Sequence, residues 1–332
     1  MTKSFSVGGL ELRFPIIVGA GVCKYPRNLP PYIRDDLPIG AITLGSITPN
    51  ASLGNKGTLF HPPEWTGFLE RKAGSNAFGM PNDGYKKSYH GLPNDSPIPI
   101  IASIGAFSID DFLAGIQRFD EHPVIQAIKL NISCPNKGKL PIGFDLEALS
   151  QLIQRIRELS LRCPIWIKTP RYVTREVLDS FADKYQEFDF SATPTVDDNF
   201  LRAFAQLIGE NNDIIRALVV ANTLGNVVRR HLDGTTVTTP NGGQAGLSGP
   251  IVKRLSIDLI RQLGGLLEDT VDIVASGGII HGDDGVDYLE QTNAQAFCCT
   301  SGPFWYGVGP RFFANLLTES EALQNHIMRH SQ

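Results

Sequence analysis

Residues 125–136 read Ile-Gln-Ala-Ile-Lys-Leu-Asn-Ile-Ser-Cys-Pro-Asn. A short apolar run passes directly into Asn131, Ser133, Cys134 and Asn136, with Pro135 stiffening the exit. The run is too short for a helix and too apolar for a strand with one wet face, so it reads as a strand buried on both sides. Similar runs recur at residues 16–20, 41–44, 98–104, 164–168, 217–221, 272–276 and 294–299. Segments of helical period lie between them, at 109–119, 146–161, 174–181, 251–263 and 285–291. Eight buried strands alternating with helices predict a parallel sheet closed as a (β/α)8 TIM barrel, with an open doubly wound sheet as the competing arrangement. A chain of 332 residues suits one such barrel as a single domain spanning residues 1–332.

The rest of the chain is organised around these strands. Residues 5–14 alternate around Gly8-Gly9, which predicts a β-hairpin, placed at the barrel floor. Residues 48–97 and 223–249 are rich in Gly, Pro, Asn or Thr and read as long loops. Both follow strand carboxyl ends, the face where barrel enzymes build their sites. The formal net charge is −4, and no block of like charge occurs, so nucleic acid and anionic membranes are poor partners. The amino terminus has no apolar signal core, and no stretch reaches the roughly 18 apolar residues of a membrane span. Five cysteines without a CxxC pair argue against a disulfide framework or structural zinc. The expected location is cytoplasmic. Seven histidines are scattered without metal-ligand spacing, and His90, His122 and His326 read as surface residues.

The chemistry concentrates at the strand ends. Asn131 and Asn136 carry amides that can both donate to and accept from a planar, amide-rich ligand. Cys134, beside them at a loop tip, is placed to act as base or nucleophile. Ser276-Gly277-Gly278 and Thr300-Ser301-Gly302 end the last two strands. Glycine turns there let backbone N–H groups approach an anion, and phosphate sites after the seventh and eighth strands recur in these barrels. Lys168 closes an otherwise apolar fifth strand, and Lys24 follows the first. Either can neutralise a ligand charge at the barrel mouth, or simply reach water from a strand end.

Asn-Ile-Ser-Cys-Pro-Asn (131–136) resembles the signature of the dihydroorotate dehydrogenases, which are FMN-binding (β/α)8 barrels. The resemblance runs through Gly19-Ala-Gly21, Ser75-Asn-Ala-Phe-Gly-Met-Pro-Asn-Asp-Gly84, Ile167-Lys168-Thr-Pro, Ala221-Asn-Thr-Leu-Gly-Asn226, Gly246-Leu-Ser-Gly249, Ala275-Ser-Gly-Gly278 and Thr300-Ser301, in that order. It implies oxidation of (S)-dihydroorotate to orotate in de novo pyrimidine biosynthesis. Cys134 would take the C5 proton while hydride passes from C6 to flavin N5. Lys24, Asn76, Gly79, Met80, Asn131, Asn136, Asn222 and Thr223 would surround the pyrimidine. Ala20, Gly21, Lys24, Ser46, Ser103, Asn131, Lys168, Ala221, Gly249, Gly277, Gly278, Thr300 and Ser301 would hold FMN.

A cysteine base resembles the soluble class 1 enzymes, which implies a homodimer and fumarate as electron acceptor, with an NAD-linked partner subunit as the other option. Two positions depart from that pattern. The lysine usual at the end of strand two is absent from Leu44-Gly45-Ser46-Ile47-Thr48, a class 2-like sequence, and Lys24 stands where class 2 carries its lysine. Ser103 occupies a site usually held by asparagine. These departures motivate an alternative substrate, another cyclic amide such as a dihydropyrimidine. A phosphate-binding barrel without redox chemistry is the reading from outside the oxidoreductases.

Overall fold

The computed structural model describes residues 4–61, 73–133, 140–231, 233–305 and 308–330. Eight parallel strands close a barrel: Ile16–Cys23, Ala41–Ile47, Ile100–Ile104, Ile125–Asn131, Ile165–Lys168, Ile215–Val220, Asp272–Ser276 and Ala294–Cys299. Each pairs with its sequence neighbours, and the eighth pairs with the first, Phe297 opposite Ile16. All eight expected strands are present, and the TIM barrel is the fold. The third and fifth begin later than expected because Pro99 and Pro164 have no N–H to donate. Their carbonyls still accept, from Ile42 and Ile128 respectively, at 2.9 and 3.0 Å.

The helices form where apolar residues keep a spacing of three and four. Helix Ile109–Asp120 buries Phe112, Leu113, Ile116 and Phe119, and the Ser108 side chain caps it by accepting from Asp111 N. Helix Leu146–Arg157 is capped by Asp145, and Arg175–Ala182 by Thr174. Lys253–Leu267 and Gly282–Gln291 complete the expected set. Helix Asp198–Gly209 was not among the expected segments, although Leu201, Phe204, Ala205 and Ile208 carry the period plainly and Asp197 caps it. These faces pack on the outside of the barrel, while a smaller core fills its inside.

That inner core explains the hairpin. Strands Phe5–Val7 and Leu10–Leu12 pair antiparallel, and Val7, Leu10 and Leu12 pack with Ile17, Ile101, Trp166 and Val274 from the barrel wall. Trp166 Nε1 donates to Gly8 O at 2.9 Å, and Gly8 N donates to Asp272 Oδ2 at 2.6 Å. Asp272 opens the seventh strand, so the hairpin closes the amino-terminal end, the floor. The chemistry is thereby left to the other end.

The two long loops are a correction. They contain strands that join Phe188–Asp189 in a five-stranded antiparallel sheet, ordered Phe188–Asp189, Leu224–Arg229, Gln244–Ser248, Gly74–Asn76, Phe60–His61. Leu224, Val227 and Leu247 from this sheet share a separate apolar cluster with Phe181, Phe188 and Val252. A second correction concerns His326, read as a surface residue. It is buried, with its ring stacked 4.2 Å from that of His330.

Candidate active site

A cavity of about 330 Å³ opens at the carboxyl ends of the strands. The first strand and its exit supply Ala20, Gly21 and Lys24; the fifth supplies Lys168 and Arg171; the sixth supplies Ala221, Asn222 and Thr223. Ser276, Gly277 and Gly278 come from the seventh, Cys298 to Ser301 from the eighth, and Ser248 and Gly249 from the accessory sheet's exit. Phe60, Asn76 and Phe78 line it from the long insertion after strand two. Among the described residues the lining holds three cations, Lys24, Lys168 and Arg171, and no carboxylate. Such a wall favours an anionic ligand. A larger cavity, about 570 Å³, lies beside it against Ile109, Phe112, Phe144 and Phe200. Its one carboxylate, Asp145, is engaged in capping a helix. Among the described residues it gathers no cationic group, so the smaller, cation-lined cavity is the candidate site.

At one end the cavity is built around Gly277-Gly278. Gly278 has φ +71°, and a Cβ there would lie 2.7 Å from Lys253 Cβ and 3.0 Å from Gly249 O. Only glycine gives this turn both its conformation and its close approach. Its carbonyl side is pinned from behind: Tyr288 Oη donates to Gly277 O at 2.6 Å and Ser256 Oγ to Ser276 O at 2.9 Å. Asp284 accepts from the N–H groups of Ile280 and His281 at 2.9 and 2.8 Å. Thr300 and Ser301 stand beside the turn, but Gly302 has a different task. A Cβ on it would run into the Phe312 ring, so that glycine makes room for packing.

Beside Asn222, behind the cavity wall, side-chain amides and hydroxyls gather; Asn131 itself lines the larger cavity, and Ser46 lines neither. Asn131 Nδ2 donates to Ser46 Oγ at 3.0 Å, and its Oδ1 accepts from Ser133 Oγ at 2.6 Å and Asn222 Nδ2 at 3.3 Å. Asn222 also bonds Ser133. Ser103 is fully buried and meets Ser46 at 3.0 Å, so it supports Ser46 from behind and does not line the cavity. Asn76 is aimed by donation to Gly246 O at 3.2 Å. Gly79 and Met80 lie outside the lining, on a loop pinned by Asn82, which donates to Met80 O at 2.9 Å and accepts from Thr48 N at 3.1 Å. Cys134 and Asn136 lie outside the described residues.

Charge at this site is held against solvation. Burial lowers the Lys168 ammonium below its ordinary value, and the neighbouring Arg171 lowers it further. Burial also lowers Lys24, whose Nζ sits 4.0 Å over the Phe78 ring. Phe78 in turn stacks on Phe60 at 5.8 Å. Below the mouth, Lys129 points into the barrel and donates to Thr43 Oγ1 at 3.1 Å; burial pushes it down to about 7. Sequence reading missed Arg171, Lys129, Phe60 and Phe78. Arg171 had a signal, since it stands three residues after Lys168 in the same strand exit. The others are set by strand register and by the fold of the insertion, which short-range pattern does not carry.

The dihydroorotate dehydrogenase family model matches residues 3–323. The chain belongs to that family. It is 29% identical over 287 residues to "Dihydroorotate dehydrogenase B (NAD(+)), catalytic subunit" of Enterococcus faecalis, covering 84% of this chain and 78% of that protein. It is 28% identical over 292 residues to "Dihydroorotate dehydrogenase A (fumarate)" of Limosilactobacillus reuteri, covering 85% and 81%. Among solved structures it resembles DHODH of Eimeria tenella in complex with ferulenol, with TM-score 0.71, 18% identity, 99% of this chain and 86% of that one. That likeness shows the fold. The family is flavin-dependent, and the residues present fit a phosphorylated flavin. The glycine turn leaves a space that a Cβ would narrow, and the buried Arg171 Nε has no hydrogen-bond partner among the described residues. No helix of the described residues is long and apolar enough to cross a membrane.

Proposed function

We propose that this protein oxidises (S)-dihydroorotate to orotate in de novo pyrimidine biosynthesis, using FMN. The reading rests on one coincidence. The family match spans nearly the whole chain, and the mouth of the barrel is lined, among the described residues, by three cations and no carboxylate. Orotate, dihydroorotate and a flavin phosphate are all anions.

When bound, FMN supplies the two-electron acceptor for the hydride that leaves C6. Cys134 takes the C5 proton at Sγ as general base, a step worth roughly 10²–10⁴-fold. Asn76, Asn131, Asn136, Asn222 and Thr223 hold the pyrimidine ring by amide and hydroxyl contacts, whose two-way donor and acceptor capacity matches a cyclic imide. Lys24 and Lys168 supply positive charge at the ring end, and Gly249, Gly277, Gly278, Thr300 and Ser301 cradle the phosphate. The Asn131–Ser46–Ser103 chain fixes the Asn131 amide, so that ligand binding finds it already oriented.

The test is anaerobic mixing of the FMN-loaded protein with dihydroorotate, following loss of the flavin's visible absorbance together with orotate formation. Dihydrouracil serves as control. Bleaching by dihydrouracil and not by dihydroorotate removes the assignment. For the acceptor we propose fumarate, reduced to succinate by the lone chain; turnover with a dye but not with fumarate transfers that role to another protein.

A further inference from the structure

Arg171 is a buried cation that the reaction above does not use. It is 4% exposed and lines the cavity at the Gly277-Gly278 turn. One guanidinium nitrogen, Nη1, donates to Val252 O at 3.4 Å and also to Ser256 Oγ. Nη2 faces the turn: a Cβ built on Gly277 would lie 2.6 Å from it. Nε is buried with no partner among the described residues. No carboxylate pairs with this side chain there, whereas the neighbouring cation, Lys253, is neutralised by Asp284 at 2.5 Å and Asp287 at 2.6 Å. Burial accordingly pushes Arg171 down to about 10, and Tyr288 resists that fall.

A desolvated guanidinium without a counter-ion is unfavourable, and a bound anion removes the penalty. Ser256 and Tyr288 tie Arg171 and the glycine turn into one unit, since Ser256 also donates to Ser276 O and Tyr288 to Gly277 O. We infer that Arg171 is the specificity determinant for the phosphorylated flavin: it sets positive charge behind the Gly277-Gly278 turn, so that FMN is bound in preference to riboflavin. The inference rests on the FMN reading above and adds a residue to it. It concerns the phosphate end only, and leaves the ring end to Lys24 and Lys168.

The experiment is titration of apoprotein with FMN and with riboflavin, read by quenching of flavin fluorescence, for the wild type, Arg171→Met and Arg171→Lys. Wild type should prefer FMN. Arg171→Met should lose about 10- to 100-fold in FMN affinity, the scale of one charge-assisted hydrogen bond, while riboflavin affinity stays within about twofold. Arg171→Lys should recover part of the preference. A purely structural Arg171 moves both ligands together, and that result overturns the inference, as does an unchanged FMN-to-riboflavin ratio. If Arg171→Met does not fold, the ratio in Arg171→Lys decides, because a cation without the guanidinium's fork still senses phosphate but less tightly. Failure of the wild type to bind either flavin overturns the cofactor reading itself and this inference with it.

Discussion

Replacing Lys129 by Met should stabilise the apoprotein. Lys129 is 1% exposed, inside the barrel, and its one hydrogen bond among the described residues is to Thr43 Oγ1 at 3.1 Å. Burial holds its ammonium at about 7 against an ordinary 10.5, with Lys168 adding to the fall and Cys298 opposing it. At about 1.4 kcal/mol per tenfold, that difference caps the penalty of the charged lysine near ~5 kcal/mol. Methionine fills a similar volume without the charge, but it leaves the Thr43 hydroxyl unpaired, an offset of about 1 kcal/mol. A net gain of ~2–4 kcal/mol is expected at about pH 6, in keeping with other buried-charge replacements.

The sign with pH follows from proton counting. Below about 7 both folded and unfolded states hold the proton, and the full penalty is present. Between about 7 and 10.5 the unfolded chain keeps a proton that the folded one has released, so wild-type stability gains from this group as pH rises. Near pH 10 less than about 1 kcal/mol of the penalty remains. Other buried groups titrate in the same window, so the quantity to measure is the difference between variant and wild type. Urea unfolding of the two apoproteins at about pH 6 and about pH 10 gives it. A variant less stable than wild type at the lower pH, or a difference that does not shrink at the higher, refutes the argument.

Cys134→Ala should keep FMN and lose about 10²–10⁴-fold in turnover at neutral pH, and Cys134→Ser should move the pH optimum upward; wild-type rates in Cys134→Ala remove it as the base. Lys24→Ala should weaken both FMN and orotate roughly tenfold, because it deletes a partly desolvated cation over Phe78 at the ring end, and unchanged dissociation constants refute that role. Gly278→Ala should destabilise by about 1–3 kcal/mol and lower FMN affinity, since its φ of +71° and its contact with Lys253 both oppose a Cβ; thermal unfolding and flavin titration check the two effects.

The eight barrel strands were legible because each is a short, doubly buried run whose identity depends on its own residues. Even their offsets have local causes, the prolines at 99 and 164. The accessory sheet was not legible in the same way. Its strands at Phe60–His61 and Gly74–Asn76 gain their ladder from Gln244–Ser248, with Asn76 opposite Gly246, far along the chain. Nothing within a short window favours an extended pairing there over a loop. The site divides along the same line. Lys168, Asn222, Gly277, Gly278 and Thr300 stand at strand ends, where reading the strand reads the residue. Ser103 and Gly302 fail that rule, because what they touch is fixed by the neighbouring strand's Ser46 and by Phe312 from a later helix.

Lys129, Lys168 and Arg171 sit on adjacent strands or their exits, all buried, and none is paired with a carboxylate among the described residues. Packing alone would not select three such groups, since apolar residues of like size fold a barrel more stably. Two of them, Lys168 and Arg171, line the cavity, whose lining holds no carboxylate among the described residues. Desolvated cations at the cavity make the protein less stable than its fold allows, and a bound anion offsets that deficit: a ligand at a hundred times its dissociation constant contributes about 2.7 kcal/mol. Cofactor binding and folding stability are therefore coupled through the same few side chains. Lys129 stands outside the cavity lining, donating to Thr43 inside the barrel, which is why its removal should raise stability with the least effect on binding.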